Sequence, residues 1–469
     1  MAVGLTQVLG QVPLAEAFWL LWNEVLPDAA LDQHFDRHRG QCYTLEFSFS
    51  DIVHLVGDAL CQHQGRAQPT LTRYAGSENC SASEQAFYGK LRRMPFAVSD
   101  EFVPWAAGRL RSWLPANTAP AIPASFSALC VLAMDSRVAK NAAKRLKPLR
   151  QKPGAALGGR TLAVLEVGSD LIVGMKSHPH GHVNEQLLVS DVVQQVRQHR
   201  SGPRVWVADR QFGNLANFKR CTQDGDHCIL RKHSRTVFRP DPKQPTVTGV
   251  DEHGRAFRDQ IGVITSTREG QQAARQITLK RAGLPDLVIL TSLTDPDTFP
   301  AADILTVYGL RWNIKEAFQK VSQVFQLSYL IGSHPKAIML QTALCLTMAN
   351  VLTVLLAILA KTQKRSVETI STAKVWYDLH RQLTACHVLA SPDDIIETIQ
   401  KRVLVISNLA KHLEKILSAG WSNLWNKSPA KKRHQPKVKH QRGGHAHFSI
   451  HTVLEQYKNQ HRSPRSKDV

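Results

Sequence analysis

Two aspartates close short apolar runs: Asp135 ends ALCVLAMD at 128–135, and Asp209 follows VWVA inside PRVWVADRQFG at 203–213. Strand ends in a mixed sheet are where carboxylates converge on one edge. Carboxylates that converge repel each other unless a divalent cation lies between them. Two Mg²⁺ ions (or Mn²⁺) bridged by such acids activate a water or a 3′-hydroxyl and stabilise the leaving oxygen at a phosphodiester. A terminal Asp is equally a common turn residue or helix cap, so this pair alone leaves both readings open.

A helical pattern over 302–325 adds to them. Tyr308, Arg311 and Lys315 fall at spacings of three and four and share one face, which Phe318 continues. A Tyr and an Arg on the face that meets the acids could hold a phosphate or orient a carboxylate. Trp312, Ile314 and Phe318 read as core packing. Lys140, Lys144, Arg145 and Lys147 form a basic run just past Asp135, and Arg210 follows Asp209. Such a run suits phosphates, or is an exposed charged helix face.

The chain that must position these residues has 469 residues, with 59 Lys and Arg against 38 Asp and Glu, a net charge of +21. At roughly 100–200 residues per domain this allows two to four domains. A hydrophobic content of 43% excludes a mainly disordered chain, and the charge calls for a polyanionic partner, nucleic acid first. The eight cysteines include no C-x-x-C pair, which argues against a zinc ribbon or a disulfide framework. No signal peptide is read at the start. The apolar stretch 339–360 carries Gln341 and Asn350 and reads as a buried helix, not a membrane span.

Residues 1–120 read as helical, and SASEQAFYGKLRRM, with Ser81 or Ser83 as cap, is either a small DNA-binding helix or an ordinary amphipathic one. PANTAPAIP at 115–123 is a linker. Strands at 128–135, a hairpin about Gly168–Ser169, a helix at 184–199 and strands near 203–208 and 228–233 follow. Glu166 and Asp170 flank the hairpin turn and read as solvated. His178, His180 and His182 read as a polar loop, since their spacing suits no standard zinc site. Residues 234–300 are polar and β-like, and Asp295-Pro296-Asp297 reads as a turn. The tail 426–469 holds eleven Lys and Arg against two acids and reads as a flexible, polyphosphate-binding arm.

VWVADRQFGN, followed about a hundred residues later by TSLTDPDTFPAADILTVYGLRWNIKEAFQ, resembles the catalytic region of bacterial DDE transposases of the insertion-sequence "IS-four" family. The resemblance reaches upstream to AMDSRVAKNAAKRLKPLR and spans about 40–450. It implies an α/β fold: an RNase H-like mixed sheet core with a β-rich insertion at 234–300, plus an N-terminal helical domain. The implied division is a DNA-binding region at 1–120, a catalytic domain at 125–420 and a basic tail at 421–469. It implies cleavage and strand transfer at terminal inverted repeats of double-stranded DNA, Mg²⁺ or Mn²⁺ held by Asp135, Asp209 and a third acid, a homodimer in a synaptic complex, no membrane, and a cytoplasmic, nucleoid-associated location.

The family's pattern is Tyr, two residues, Arg, three residues, Glu, six residues, Lys. Tyr308 and Arg311 match it; the Glu position holds Lys315 and the Lys position Ser322. Glu316 is the adjacent acid and the expected third catalytic and metal-binding residue, although one residue turns a helix by about 100°. A Glu-to-Lys exchange is a single-nucleotide change and shifts the site by two charge units. At an effective dielectric of about 20, unit charges 4 Å apart interact by roughly 4 kcal/mol. Either Glu316 substitutes after a local helix distortion, or the site is crippled and the chain is a DNA-binding relic; the charge favours the second.

Overall fold

The computed structural model describes residues 7–43, 46–63, 66–74, 83–116, 122–325, 330–428 and 446–461. Its centre is a ten-stranded mixed sheet. Strand β1 (Cys130–Val138) runs antiparallel to β3 (Arg160–Glu166), which turns into antiparallel β4 (Leu171–His178). On its other side β1 pairs in parallel with β5 (Arg204–Ala208), and β5 in parallel with β6 (His227–Arg231). The helix Val189–His199 makes the crossover from β4 to β5, its Val192, Val193 and Val196 buried. A four-residue 3₁₀ turn, Glu185–Leu188, opens that segment.

The polar β stretch does not form a separate sheet. Strand β11 (Leu287–Thr291) pairs antiparallel with β6 and extends the central sheet through β10 (Gly270–Leu279), β9 (Ala256–Ser266) and β7 (Val237–Pro240), with β8 (Val247–Val250) also on β9. Within it the fully buried Arg275 forks onto Asp259, Nε to Oδ1 at 2.8 Å and Nη2 to Oδ2 at 2.5 Å. Its Nη1 reaches the carbonyl of Phe299, tying the strands to the start of the next helix.

The apolar stretch becomes the helix Pro335–Thr362, long and apolar enough to cross a membrane, yet with 89% of its most apolar window buried inside the protein. Its polar residues explain why it belongs there. Asn350 accepts from Ile172 N and donates to Ile172 O, both at 2.8 Å, at the point where the β3–β4 register shifts. Gln341 accepts the buried Ile331 N–H at 2.8 Å. Each satisfies a backbone group the core would otherwise strand.

Helices from both ends of the chain cover this rod. Pro13–Val25 packs with Thr372–Leu389, Pro392–Val405 and Leu409–Ser418, Phe49–Gln62 packs with Thr372–Leu389, and Phe96–Leu110 lies against the apolar helix itself. Gln382 Oε1 accepts the N–H groups of Leu14 and Ala15, two orphan donors of a helix that no cap residue closes. Ser48 and Asp51 form a reciprocal capping box at Phe49–Gln62. Ser83 caps Glu84–Arg93; Ser81 lies outside the described residues.

The structure corrects several sequence expectations. Glu166 is buried, not solvated: it meets Arg111 at 2.5 Å and Arg200 at 2.7 Å, and Cys130 donates to it. Asp170 takes φ +53° and pairs with Lys320 at 3.6 Å. Residues 139–146 form an irregular loop before a 3₁₀ turn, so the basic run is no helix face. The tail is partly folded: strand β12 (His447–Ser449) joins β2 (Ala155–Leu157) in parallel, and helix Ile450–Gln460 follows. Residues 429–445 and 462–469, most of the basic tail, lie outside the described residues.

Strand β5, which delivers Asp209, depends on one buried carboxylate. Asp226 accepts from Arg204 Nε at 2.9 Å, Arg197 Nε at 2.9 Å and Trp206 Nε1 at 3.0 Å, and its side chain is fully buried. Asp226→Ala leaves two guanidinium groups and an indole N–H without their acceptor. It is expected to destabilise the protein by about 3–5 kcal/mol, read as a lower urea midpoint.

Candidate active site

Parallel pairing puts the two aspartates at one level. Leu132 lies opposite Trp206 and Ala133 opposite Val207, and each acid sits two residues further along its strand. Asp135 is not terminal, as the apolar pattern suggests, because β1 runs on to Val138. Asp209 stands just past β5 and caps the turn Arg210–Phe212, Oδ1 accepting Gln211 N–H at 3.1 Å. It is thus both a turn residue and a site residue: Oδ1 holds the loop and Oδ2 faces the site. Gly213 closes this loop against β6, where an added Cβ would lie 1.9 Å from the Arg231 carbonyl oxygen. That contact accounts for Gly in the Asp-Arg-Gln-Phe-Gly sequence.

The helical pattern 302–325 resolves into Ala301–Leu310 and Trp312–Val324, which meet at Arg311. Two features place the second helix over β1. Ile314, Phe318 and Val321 are buried beneath it, and Arg137 on β1 donates to Phe318 O at 2.9 Å and to the Ser322 hydroxyl. Ser322, at the position where the family pattern has Lys, therefore serves as an anchor for the helix.

Lys315 is the residue this arrangement brings to the acids. Its Nζ lies 3.9 Å from Asp135 Oδ2 and 3.7 Å from Asp209 Oδ2. Burial pushes the Asp135 carboxyl above its ordinary range; Lys315 pulls it down and Asp209 pushes it up again. The ammonium is the local charge that lets the two carboxylates approach.

Glu316 goes elsewhere. It lines a cleft of about 770 Å³ on another face of the helix, with Asn313, Lys320, Asp170, Lys364 and Lys427. The helix Trp312–Val324 runs without a break between 315 and 316, so no distortion turns Glu316 to the pair. The expectation of Glu316 as the third acid is corrected on this ground. Among the described residues no group of three or more His, Cys, Asp or Glu could hold a metal ion. His178 and His180 instead accept backbone N–H groups on Nδ1, at 3.1 and 3.2 Å, as turn residues.

Tyr308 and Arg311 do join the site. Arg311 is only 4% exposed, its guanidinium 5.5 Å from the Tyr308 ring centre and 5.3 Å from that of Trp312. Its Nε and Nη1 are buried with no hydrogen-bond partner among the described residues. Burial raises the Tyr308 phenol, while Arg311 lowers it. Trp312 is not core, as its apolar character suggests. It is 58% exposed, and Lys315 Nζ lies 5.0 Å from its ring centre. Arg210, Lys140, Arg145 and Lys147 are exposed, while Lys144 is half-buried. Lys144 donates to Lys152 O at 2.6 Å and Arg145 to Ile331 O at 2.8 Å, so both are partly engaged within the fold.

The Lys315 ammonium stands beside both acids, as the Glu-to-Lys exchange at that position implies. Its signal was the helical spacing from Tyr308 and Arg311. Arg137 was missed altogether, and only its place two residues after Asp135, on the same strand face, could have marked it.

Lys315→Met removes the ammonium and leaves the pair unneutralised. The Asp135 carboxyl is expected to rise further, read by ¹³C NMR titration of the carboxyl groups. The folded state then holds that proton more tightly than the unfolded chain does. Stability is therefore lost as pH rises from the unfolded carboxyl range through the raised folded value.

Residues 127–351 match the family model described as "Transposase DDE domain", just under half of the chain. No curated protein matches. Among solved structures, a cryo-EM structure of the piggyBac transposase synaptic complex with hairpin DNA is similar, with a TM-score of 0.40 and 12% identity; the alignment covers 90% of this chain and 87% of that one. The matched segment contains Asp135, Asp209, Tyr308, Arg311 and Lys315. DDE chemistry implies a divalent metal ion held by carboxylates. The residues here do not fit one: two carboxylates face an ammonium, and among the described residues no third acid reaches them.

Proposed function

We propose that this chain is a DDE transposase by construction, of the insertion-sequence type, that binds double-stranded DNA at terminal inverted repeats, and whose strand-cutting site is closed by Lys315. The observation that carries this reading is the Lys315 ammonium within 4 Å of both aspartates, at the place where the family pattern puts a third acid. The strand order supports an RNase H-like core: antiparallel β4-β3-β1 continued by parallel β5 and β6. The strands within 234–300 are its β-rich insertion. The helices of 1–120 contact DNA, the body 125–420 holds the site, and the tail 421–469 adds basic charge.

What the site's own residues do follows from their charges. The buried Arg311 guanidinium, with two N–H-bearing nitrogens unpartnered, offers a charge-assisted contact to a phosphate oxygen. Tyr308 backs it by stacking under the guanidinium. Exposed Arg210, Lys140, Arg145 and Lys147 add contacts to the DNA backbone, with half-buried Lys144 in the same run. Asp135 and Asp209 are the catalytic acids of the ancestral reaction, in which Mg²⁺ or Mn²⁺ would be their partner. With an ammonium as counter-ion they form an internal ion pair, and DNA binding remains without cleavage. Two protomers would hold two ends in a synaptic complex inside the cell, with no part in a membrane.

Two outcomes are expected. With the element's own end DNA and Mg²⁺ or Mn²⁺, the protein as written binds and does not cut, whereas Lys315→Glu nicks the end. Cleavage by the protein as written, abolished by Asp135→Asn, would overturn the closed-site reading; failure of both forms to bind inverted-repeat DNA would overturn the transposase reading. Separately, Arg311→Ala is expected to weaken binding across sequences and to reduce the slope of log K against log salt by about 1, as loss of one phosphate contact should.

A further inference from the structure

Away from the acid pair, a second group of polar side chains is buried where the N-terminal and C-terminal helices meet. Asp58 on Phe49–Gln62 has a side chain only 4% exposed; among the described residues its oxygens make no hydrogen bond of full geometry, with the Thr70 hydroxyl lying nearby. His387, on Thr372–Leu389, points Nε2 at Oδ1 from 3.6 Å, and His63 points Nε2 at Oδ2 from 3.7 Å. Both gaps exceed a hydrogen bond. Gln62 Nε2, His63 Nε2 and His387 Nδ1 are likewise buried and unpartnered. Native proteins seldom leave such groups without partners, and here several meet in one place.

They meet at a cavity of about 100 Å³. Asp58, Gln62 and His387 form its polar wall, and Trp19, Trp22 and Ile399 are among its apolar lining. The ring of His387 stands edge-on to Trp19 at 5.8 Å. Burial, with help from Arg73 and His63, holds the His387 imidazole down at about 3, so it is neutral and offers a lone pair. Burial pushes the Asp58 carboxyl up, while His63, Arg73 and the Thr70 hydroxyl pull it down. The cavity therefore presents the Asp58 carboxylate and the His387 imidazole, with indole faces beside them. Acceptors 3.6 Å apart are within reach of a single nitrogen at about 2.9 Å from each.

We propose that this cavity binds a small primary alkylammonium, its N–H groups donated to Asp58 and His387 and its alkyl chain held against Trp19, Trp22 and Ile399. An ammonium brings donors to acceptors that lack them, and indole faces attract cations. The volume limits the ligand: an apolar cavity of about 150 Å³ admits benzene, so about 100 Å³ suits a chain of three or four carbons. The site is independent of the acid pair, lies outside 127–351 apart from Met348 at its edge, and requires no DNA.

Isothermal titration of the full-length protein with n-propylammonium tests this, with n-propanol as the neutral isostere. Saturable one-to-one binding is expected for the ammonium, with propanol roughly tenfold weaker or worse, since a charged hydrogen-bonded contact is lost. Asp58→Asn should weaken n-propylammonium binding by a similar factor. Gly57 lines the cavity, and a Cβ there meets nothing within 4 Å, so Gly57→Leu fills the space and leaves every polar group in place. That variant should stay folded, by circular dichroism, and lose the ligand. Equal binding of ammonium and alcohol, unchanged binding by Asp58→Asn or by folded Gly57→Leu, or no heat with the parent protein would each overturn the proposal.

Discussion

Two carboxylates cannot both stay ionised at a half-buried edge without a cation between them. In this fold the parallel pairing of β1 and β5 sets Asp135 and Asp209 at one level, so a counter-charge is a condition of the architecture. The chain supplies it from Lys315. In the proposed reading, the residue that meets the electrostatic need of the folded state also stands where a metal-binding carboxylate would have to be. Structure and chemistry pull in opposite directions at a single side chain.

The surrounding scaffold is built to hold that geometry. Arg137 clips the helix Trp312–Val324 onto β1 from the strand side, while Asp226 gathers Arg197, Arg204 and Trp206 behind β5. Asn350 and Gln341 pin a 28-residue apolar helix to the sheet and to a loop through backbone groups. These are buried polar contacts with exacting geometry, and they specify register as well as adding stability. The helix places residue 315 against the acids and residue 316 over the neighbouring cleft. Exchanging their roles would require rotating a helix that Ile314, Phe318 and Val321 fasten to the core.

Much of this arrangement was legible in the sequence because it is periodic. Apolar runs gave the strands of the core, three-and-four spacing gave the shared face of Tyr308, Arg311 and Lys315, and polar residues within 339–360 gave a core helix. Features set by contacts distant in the chain were not legible. Glu166 looks like a turn residue until Arg111 and Arg200 arrive from other elements to neutralise it. Trp312 looks like core because composition cannot tell which side of a kinked helix faces solvent. The strands β7–β11 are legible as strands, but nothing local says that β11 will pair with β6 and so extend the central sheet. The folding of His447–Gln460 onto β2 was hidden by the charge of the tail around it.

The central claim is that Lys315 occupies, electrostatically, the place of a divalent ion. Mn²⁺ binding, followed by water-proton relaxation enhancement at neutral pH without DNA, tests it most directly. The protein as written is expected to show no site that depends on Asp135 and Asp209, and Lys315→Glu is expected to gain one. A site in the protein as written that vanishes in Asp135→Asn and Asp209→Asn would contradict it.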